Sequence, residues 1–154
     1  MKQSVRTGRS TPKGFTLVEL VIAVIVIALL LAVALPTFLD SIRKGRRSEA
    51  FTALSNIQQA QERWRSNRPS YGTLVELGIT ASSRPSGYYT LSVSDANATG
   101  YTIVADGSAG SQRNDGACAI LGMKVVAGTL SYASCASCSA ASLSYTATNP
   151  CWAR

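Results

Sequence analysis

Residues 13–39 read KGFTLVELVIAVIVIALLLAVALPTFL, and the whole architecture turns on this stretch. From Leu20 to Leu35 every residue is apolar, and across Phe15–Leu39 the one ionisable side chain is Glu19. As a helix, Phe15–Leu39 would run about 37 Å, enough for the roughly 30 Å hydrocarbon core of a bilayer. Ahead of it lie Lys2, Arg6, Arg9 and Lys13 with no acidic residue between them. Basic residues before an apolar span hold that end in the cytoplasm and send the C-terminal side out across the membrane. Nothing further along is apolar enough to cross again, so the expectation is one crossing, N-terminus inside.

Two ordinary readings compete for this stretch. A cleaved secretory signal fits Ala32-Val33-Ala34, a small-residue cleavage pattern. A plain signal anchor would carry Glu19 incidentally. Against both, the apolar run is long for a signal peptide, and a carboxylate at depth in a membrane costs about 2.5–3.5 kcal/mol on insertion scales, so it is seldom present without a use. Pro36 removes one helical hydrogen bond and favours a kink.

The chain has 154 residues, room for one domain beyond the apolar segment. Its 15 Lys and Arg against 8 Asp and Glu give a net charge of +7, but the excess is concentrated before Gly14, which makes it poor support for nucleic-acid binding. There is no histidine, which removes imidazole acid–base chemistry, Ser-His-Asp triads and His-ligated metal sites. No GxGxxG, P-loop, paired-carboxylate signature or internal repeat is present. A non-enzymatic protein without cofactor or metal is expected.

From Thr37 to Asn67 the helix continues. Ile42, Ala50, Leu54, Ile57, Gln61 and Trp64 recur mostly at spacings of three and four, and Arg46, Arg47, Glu49, Gln58, Glu62 and Arg65 take the polar side. Pro69 stops it. Phe15–Asn67 would be about 80 Å long, so the apolar half of such a helix must find lipid or other copies of itself. The run Arg43-Lys44-Gly45-Arg46-Arg47 reads as a solvated face or a salt-bridge strip between subunits. Contact with nucleic acid or anionic lipid is the alternative.

After a Gly/Ser/Pro-rich connection, strand patterns appear at Tyr88–Ser94, Gly100–Ala105, Ala119–Val126 and Thr129–Tyr132, with a turn at Ala127-Gly128. An antiparallel sheet of about four strands packed on the helix gives an α+β fold. The four cysteines, Cys118, Cys135, Cys138 and Cys151, all fall on the exported side and read as disulfides, with three pairings open. Cys135-Ala136-Ser137-Cys138 is a C-x-x-C, but it lacks the βαβ setting of a redox motif, and zinc would require all four cysteines.

Lys13-Gly14-Phe15-Thr16-Leu17-Val18-Glu19-Leu20 resembles the processing motif of type IV prepilins, and the likeness runs on through Pro36 to Asp40 and the basic cluster. The resemblance implies a type IV pilin fold and a leader, residues 1–14, removed after Gly14 by a prepilin peptidase, with N-methylation of Phe15. Residues 15–39 would form the transmembrane and assembly helix and residues 40–67 its amphipathic continuation. A connecting loop, residues 68–87, would lead to a β-sheet head with a disulfide-bounded tail, residues 88–154. Glu19 would pair with the new α-amine of a neighbouring subunit and set register, because a misplaced subunit leaves unpaired charges among apolar helices. Pro36 and Gly45 would be the helix breakers.

The implied partners are other pilin subunits, the peptidase and an inner-membrane assembly platform. The implied location is the inner membrane, single-pass, and then an extracellular pilus serving adhesion, twitching or DNA uptake. Gln112–Cys118 (QRNDGAC) and Cys151-Trp152 resemble PilE-like minor pilins, which implies a Cys118–Cys151 bridge; the family pattern has no counterpart of Cys135 and Cys138, whose C-x-x-C reads from its own setting as a small local bridge. The Cys118–Cys151 bridge would close a loop of about 34 residues, worth roughly 3–4 kcal/mol in the chain-entropy model. Cys118–Cys135 with Cys138–Cys151 is the alternative pairing.

A structural, minor pilus subunit is the expected function. A DNA-receptor pilin of natural transformation is the first alternative. It calls for exposed basic groups near the Cys118–Cys151 region, yet only Lys124 and Arg154 lie within or beyond it. A type II secretion pseudopilin fits the cysteines and the Cys-Trp ending less well. A soluble exported redox or metal protein would be cut after Ala34.

Overall fold

A computed structural model describes residues 14–79 and 87–152. One helix, α1 (Leu17–Arg65), precedes four strands: β1 (Thr90–Ser94), β2 (Gly100–Asp106), β3 (Ile120–Val126) and β4 (Thr129–Cys135). The strands form an antiparallel meander in the order β1-β2-β3-β4. This is the α+β architecture expected of the sequence. The leader up to Lys13, most of the connection after Ile79, and Arg154 lie outside the described residues.

The boundaries differ from expectation for local reasons. Helix α1 starts at Leu17 because Thr16 caps it, its hydroxyl accepting from the Glu19 N–H at 3.2 Å. It ends at Arg65, two residues early, where Asn67 and Arg68 bond back to carbonyls only three residues away and tighten the last turn. Strand β4 runs three residues past Tyr132, because Ser134 and Cys135 still face Leu121 and Ile120 of β3.

The chain divides into two compact units, Met1–Phe38 and Leu39–Arg154. In the first, the apolar side chains of α1 are exposed along its length, Leu20, Ile25 and Leu30 each by more than half. A helix apolar all round needs lipid or protein about it, and α1 is long and apolar enough to cross a membrane.

In the second unit α1 buries Ala50, Ala53, Leu54, Ile57 and Gln61, one face at spacings of three and four. Against it lie Leu91 of β1, Tyr101, Ile103 and Ala105 of β2, and Leu121, Met123 and Val125 of β3. Gln61 is fully buried and satisfied. Its amide donates to the Gly72 carbonyl at 2.6 Å and accepts from the Gly72 N–H at 2.9 Å, fastening the connection to the helix like a short strand pair. Glycine at residue 72 lets the connection come close to the helix, since a Cβ there would meet the Trp64 indole at 2.9 Å and push that ring aside.

The other face of the sheet is covered by the tail. The Ser/Ala/Thr-rich tail has few apolar residues, yet it covers β3 and β4 with them. Leu143 is buried with Val104, Ile120 and Ala133, and Tyr145 packs beside them. Gly122 makes the room, because a Cβ would sit 2.9 Å from the Tyr145 hydroxyl and 3.0 Å from Leu143.

Candidate functional site

The N-terminal motif forms the entrance to α1. Gly14 and Phe15 precede the helix, a Cβ on Gly14 would meet nothing within 4 Å among the described residues, and Phe15 is 85% exposed. Glu19 sits in the first turn, where the helix dipole favours a carboxylate. Phe15, Glu19, Leu20, Ala23 and Val24 line one open cleft of about 420 Å³, so the carboxylate and the residue expected to become the new N-terminus share a side of the helix. Thr16-Leu17-Val18-Glu19 also has the Ser/Thr-x-x-Glu spacing of a capping box. That helix-start signal was present in the sequence, submerged in the apolar run around it.

Pro36 lies inside α1 with the helix continuing on both sides, and the Thr37 hydroxyl bonds to the Ala34 carbonyl at 2.9 Å. Gly45 also lies within α1, and its carbonyl accepts from the Ser48 hydroxyl at 2.6 Å.

The basic run differs from the solvated strip its composition suggests. Arg43 pairs with Asp40 at 2.7 Å on the same helix. Arg46 reaches Ser111 at 2.7 Å, its guanidinium 4.1 Å from the centre of the Tyr88 ring. Arg47 makes a two-pronged pair with Asp115, Nε to Oδ2 at 2.6 Å and Nη2 to Oδ1 at 2.7 Å, which raises its pKa further. The physical reason is spacing: residues 43, 46, 47 and 50 share the helix face that leads into the core at Ala50. Buried Gln112 joins the network, donating to the Tyr89 hydroxyl at 2.9 Å and to the Arg43 carbonyl at 3.2 Å. Tyr89 is raised above the ordinary tyrosine value by burial.

At the far end of the sheet, Cys118 is joined to Cys151, and Cys135 to Cys138. The first bridge is buried in the main core; the second lies at the end of β4, half-buried. Among the described residues no cluster of His, Cys, Asp or Glu is arranged to hold a metal. Lys124 stands 5.6 Å from the centre of the Tyr145 ring.

Comparison with known proteins brings these features together. Residues 9–35 match the prokaryotic N-terminal methylation motif, and residues 36–122 match the family described as type IV minor pilin ComP, DNA uptake sequence receptor. The type IV wide pilus major component of Thermus thermophilus is 32% identical over 102 residues, covering 64% of this chain and 76% of that protein. A fimbrial protein of Neisseria meningitidis is 34% identical over 86 residues, 55% of this chain and 51% of that one. The type IV major pilin protein of Myxococcus xanthus is 38% identical over 77 residues, and there the match spans 48% of this chain and only 35% of the relative. The family is one of structural proteins. With the motif and the minor-pilin family meeting end to end at Leu35 and Pro36, and a long apolar helix leading into a four-stranded antiparallel sheet, this chain belongs to the type IV pilins, within the family of the minor pilin ComP.

Proposed function

We propose that the chain is a structural, minor subunit of a type IV pilus, and that its role is polymerisation and not catalysis. It is held in the inner membrane by the apolar half of α1, cut after Gly14 by a prepilin peptidase, methylated at Phe15 and fed by an assembly platform into an extracellular filament. Phe15–Leu39 packs there against its counterparts. Glu19 sets register by pairing with the new α-amine of a neighbour, since a buried carboxylate is costly alone and much less so beside an ammonium. The observation that carries the reading is the methylation motif over residues 9–35, with Phe15 and Glu19 on one side of the first turns of α1.

The test is intact-mass and N-terminal peptide mass spectrometry of the protein purified without reductant. The expected species begins at N-methylated Phe15 and is four hydrogens lighter than its reduced form, two for each bridge. A chain beginning at Leu35 would sink the reading, because the assembly helix would then have been removed as a secretory signal.

A second reading is supported by the description of the matched family, which names a DNA uptake sequence receptor. Under it the subunit displays a DNA-binding surface on the filament. Arg43, Arg46 and Arg47 are engaged within the protein, so such a surface would draw on other cations. A DNA titration across a salt series separates the readings: tight binding that falls steeply with salt supports the receptor, and its absence leaves the structural role.

A further inference from the structure

The second unit carries an aromatic cluster at its surface. Trp152 stands between Phe51 of α1, with ring centres 5.0 Å apart, and Tyr132 of β4, at 4.6 Å. Its indole N–H donates to the Ala133 carbonyl at 3.1 Å, which fixes the ring in place. All three rings are only half-buried. A cleft opens on each side, both of about 230 Å³. One takes in Ser55, Gln58 and Met123; the other takes in Ala147, Thr148 and Asn149; Tyr132 and Trp152 belong to both.

The chemistry of the lining is selective. None of these described residues carries a charge. The side chains of Ser55 and Gln58 and the Tyr132 hydroxyl have no hydrogen-bond partner among the described residues, so polar groups able to donate and accept converge beside a rigid aromatic platform.

We propose that these paired clefts bind a neutral saccharide. A sugar ring has an apolar C–H face that packs on an aromatic ring, and an edge of hydroxyls that both donate and accept, matching an amide and two hydroxyls. An apolar peptide or lipid would bury Gln58 and Ser55 without partners, at a cost. A nucleic acid could stack on the same rings but needs cations for its phosphates, and the described lining supplies none. The inference goes beyond the assembly role and uses no residue of the first unit.

The test uses the full chain in phospholipid nanodiscs free of glycosidic detergent, probed by saturation-transfer NMR with lactose, maltose, cellobiose and diacetylchitobiose. Saturable binding of at least one sugar, with a Kd on the order of 1 mM and no dependence on salt, is expected. Gln58→Ala and Tyr132→Phe should each weaken it about three- to ten-fold, the effect of one lost hydrogen bond, with thermal midpoints unchanged. Ser92→Ala, on β1, should leave it intact. Failure of all four sugars to saturate, or binding unaltered in both cleft variants, would overturn the proposal. So would displacement of the sugar by oligothymidylate with a steep salt dependence, which would assign the clefts to nucleic acid.

Discussion

Arg47 and Asp115, 68 positions apart in sequence, face each other as a two-pronged ion pair in which the carboxylate is almost wholly buried and the guanidinium partly so. This pair ties α1 to the segment that delivers Cys118 to its bridge.

Breaking one side of such a pair leaves the other buried and unpaired, which costs about 3–5 kcal/mol in fully buried cases. Asp115→Ala should lower stability by about 2–4 kcal/mol, while Arg47→Met combined with Asp115→Leu should cost much less than the single change. Thermal unfolding of both variants with the disulfides intact checks this. A single variant no worse than the double would mean that the pair contributes only contact area.

The two disulfides should differ in worth. Cys118–Cys151 spans 33 positions and Cys135–Cys138 spans 3. Chain entropy alone assigns roughly 4 kcal/mol to the long loop and roughly 2 kcal/mol to the short one. Paired Ser substitutions at 118 and 151 should therefore lower the Tm about twice as far as those at 135 and 138, and they also open the core. Equal losses would show that the short bridge holds the tail's Leu143 in place.

Turn chemistry offers a gain. Ala127 and Gly128 form the two-residue link between β3 and β4, with φ of 48° and 79°. That turn wants Asn-Gly, and alanine is strained at positive φ. Ala127→Asn should stabilise the fold by about 0.5–1 kcal/mol, read as a rise in Tm. A fall would mean that the alanine has contacts that matter more than its backbone strain.

Alkaline pH should unfold the head. Burial pushes Tyr145 up to about 12, helped by Asp95, and raises Tyr101 and Tyr89 as well. A phenol whose folded pKa exceeds its unfolded value of 10.0 contributes stability fully present below pH 10.0 and lost as pH rises through the folded pKa. Stability should thus decline between pH 10.0 and about 12, with tyrosinate absorbance rising as the near-ultraviolet circular dichroism signal is lost. Tyr145→Phe removes a buried hydroxyl that has no hydrogen-bond partner among the described residues and should soften the decline. An unchanged profile would assign the effect to the other two.

Much of this was legible in the sequence, and the reason is periodicity. Ala50, Leu54, Ile57 and Gln61 announce the buried helix face by spacing alone, so that even a polar residue is placed correctly. Strand β1 declares itself by alternation, and β2, β3 and β4 as short strand-like runs set off by turn signals, with β2 buried along almost its whole length. What stayed hidden depended on single residues acting at long range. Leu143 and Tyr145 are two apolar side chains in a hydroxyl-rich tail, too sparse for any pattern, and their seat exists only because Gly122 leaves space on a distant strand. Arg47 reads like its neighbours until Asp115 is brought beside it. The C-x-x-C was readable as a local bridge because its setting lacked the elements of a redox or zinc site.

The cap at Thr16 has a bearing on proteolysis. A peptidase needs its substrate drawn out so that the scissile carbonyl is reachable, and a helix withholds that carbonyl in its hydrogen-bond ladder. Here the ladder starts at Leu17 and the Gly14–Phe15 bond lies just ahead of it. An enzyme cutting after Gly14 would meet backbone that needs no unwinding, and the helix would survive the cut with its first turn intact. Under that cleavage, one threonine would mark the border between the part of the chain that is trimmed and the part that endures.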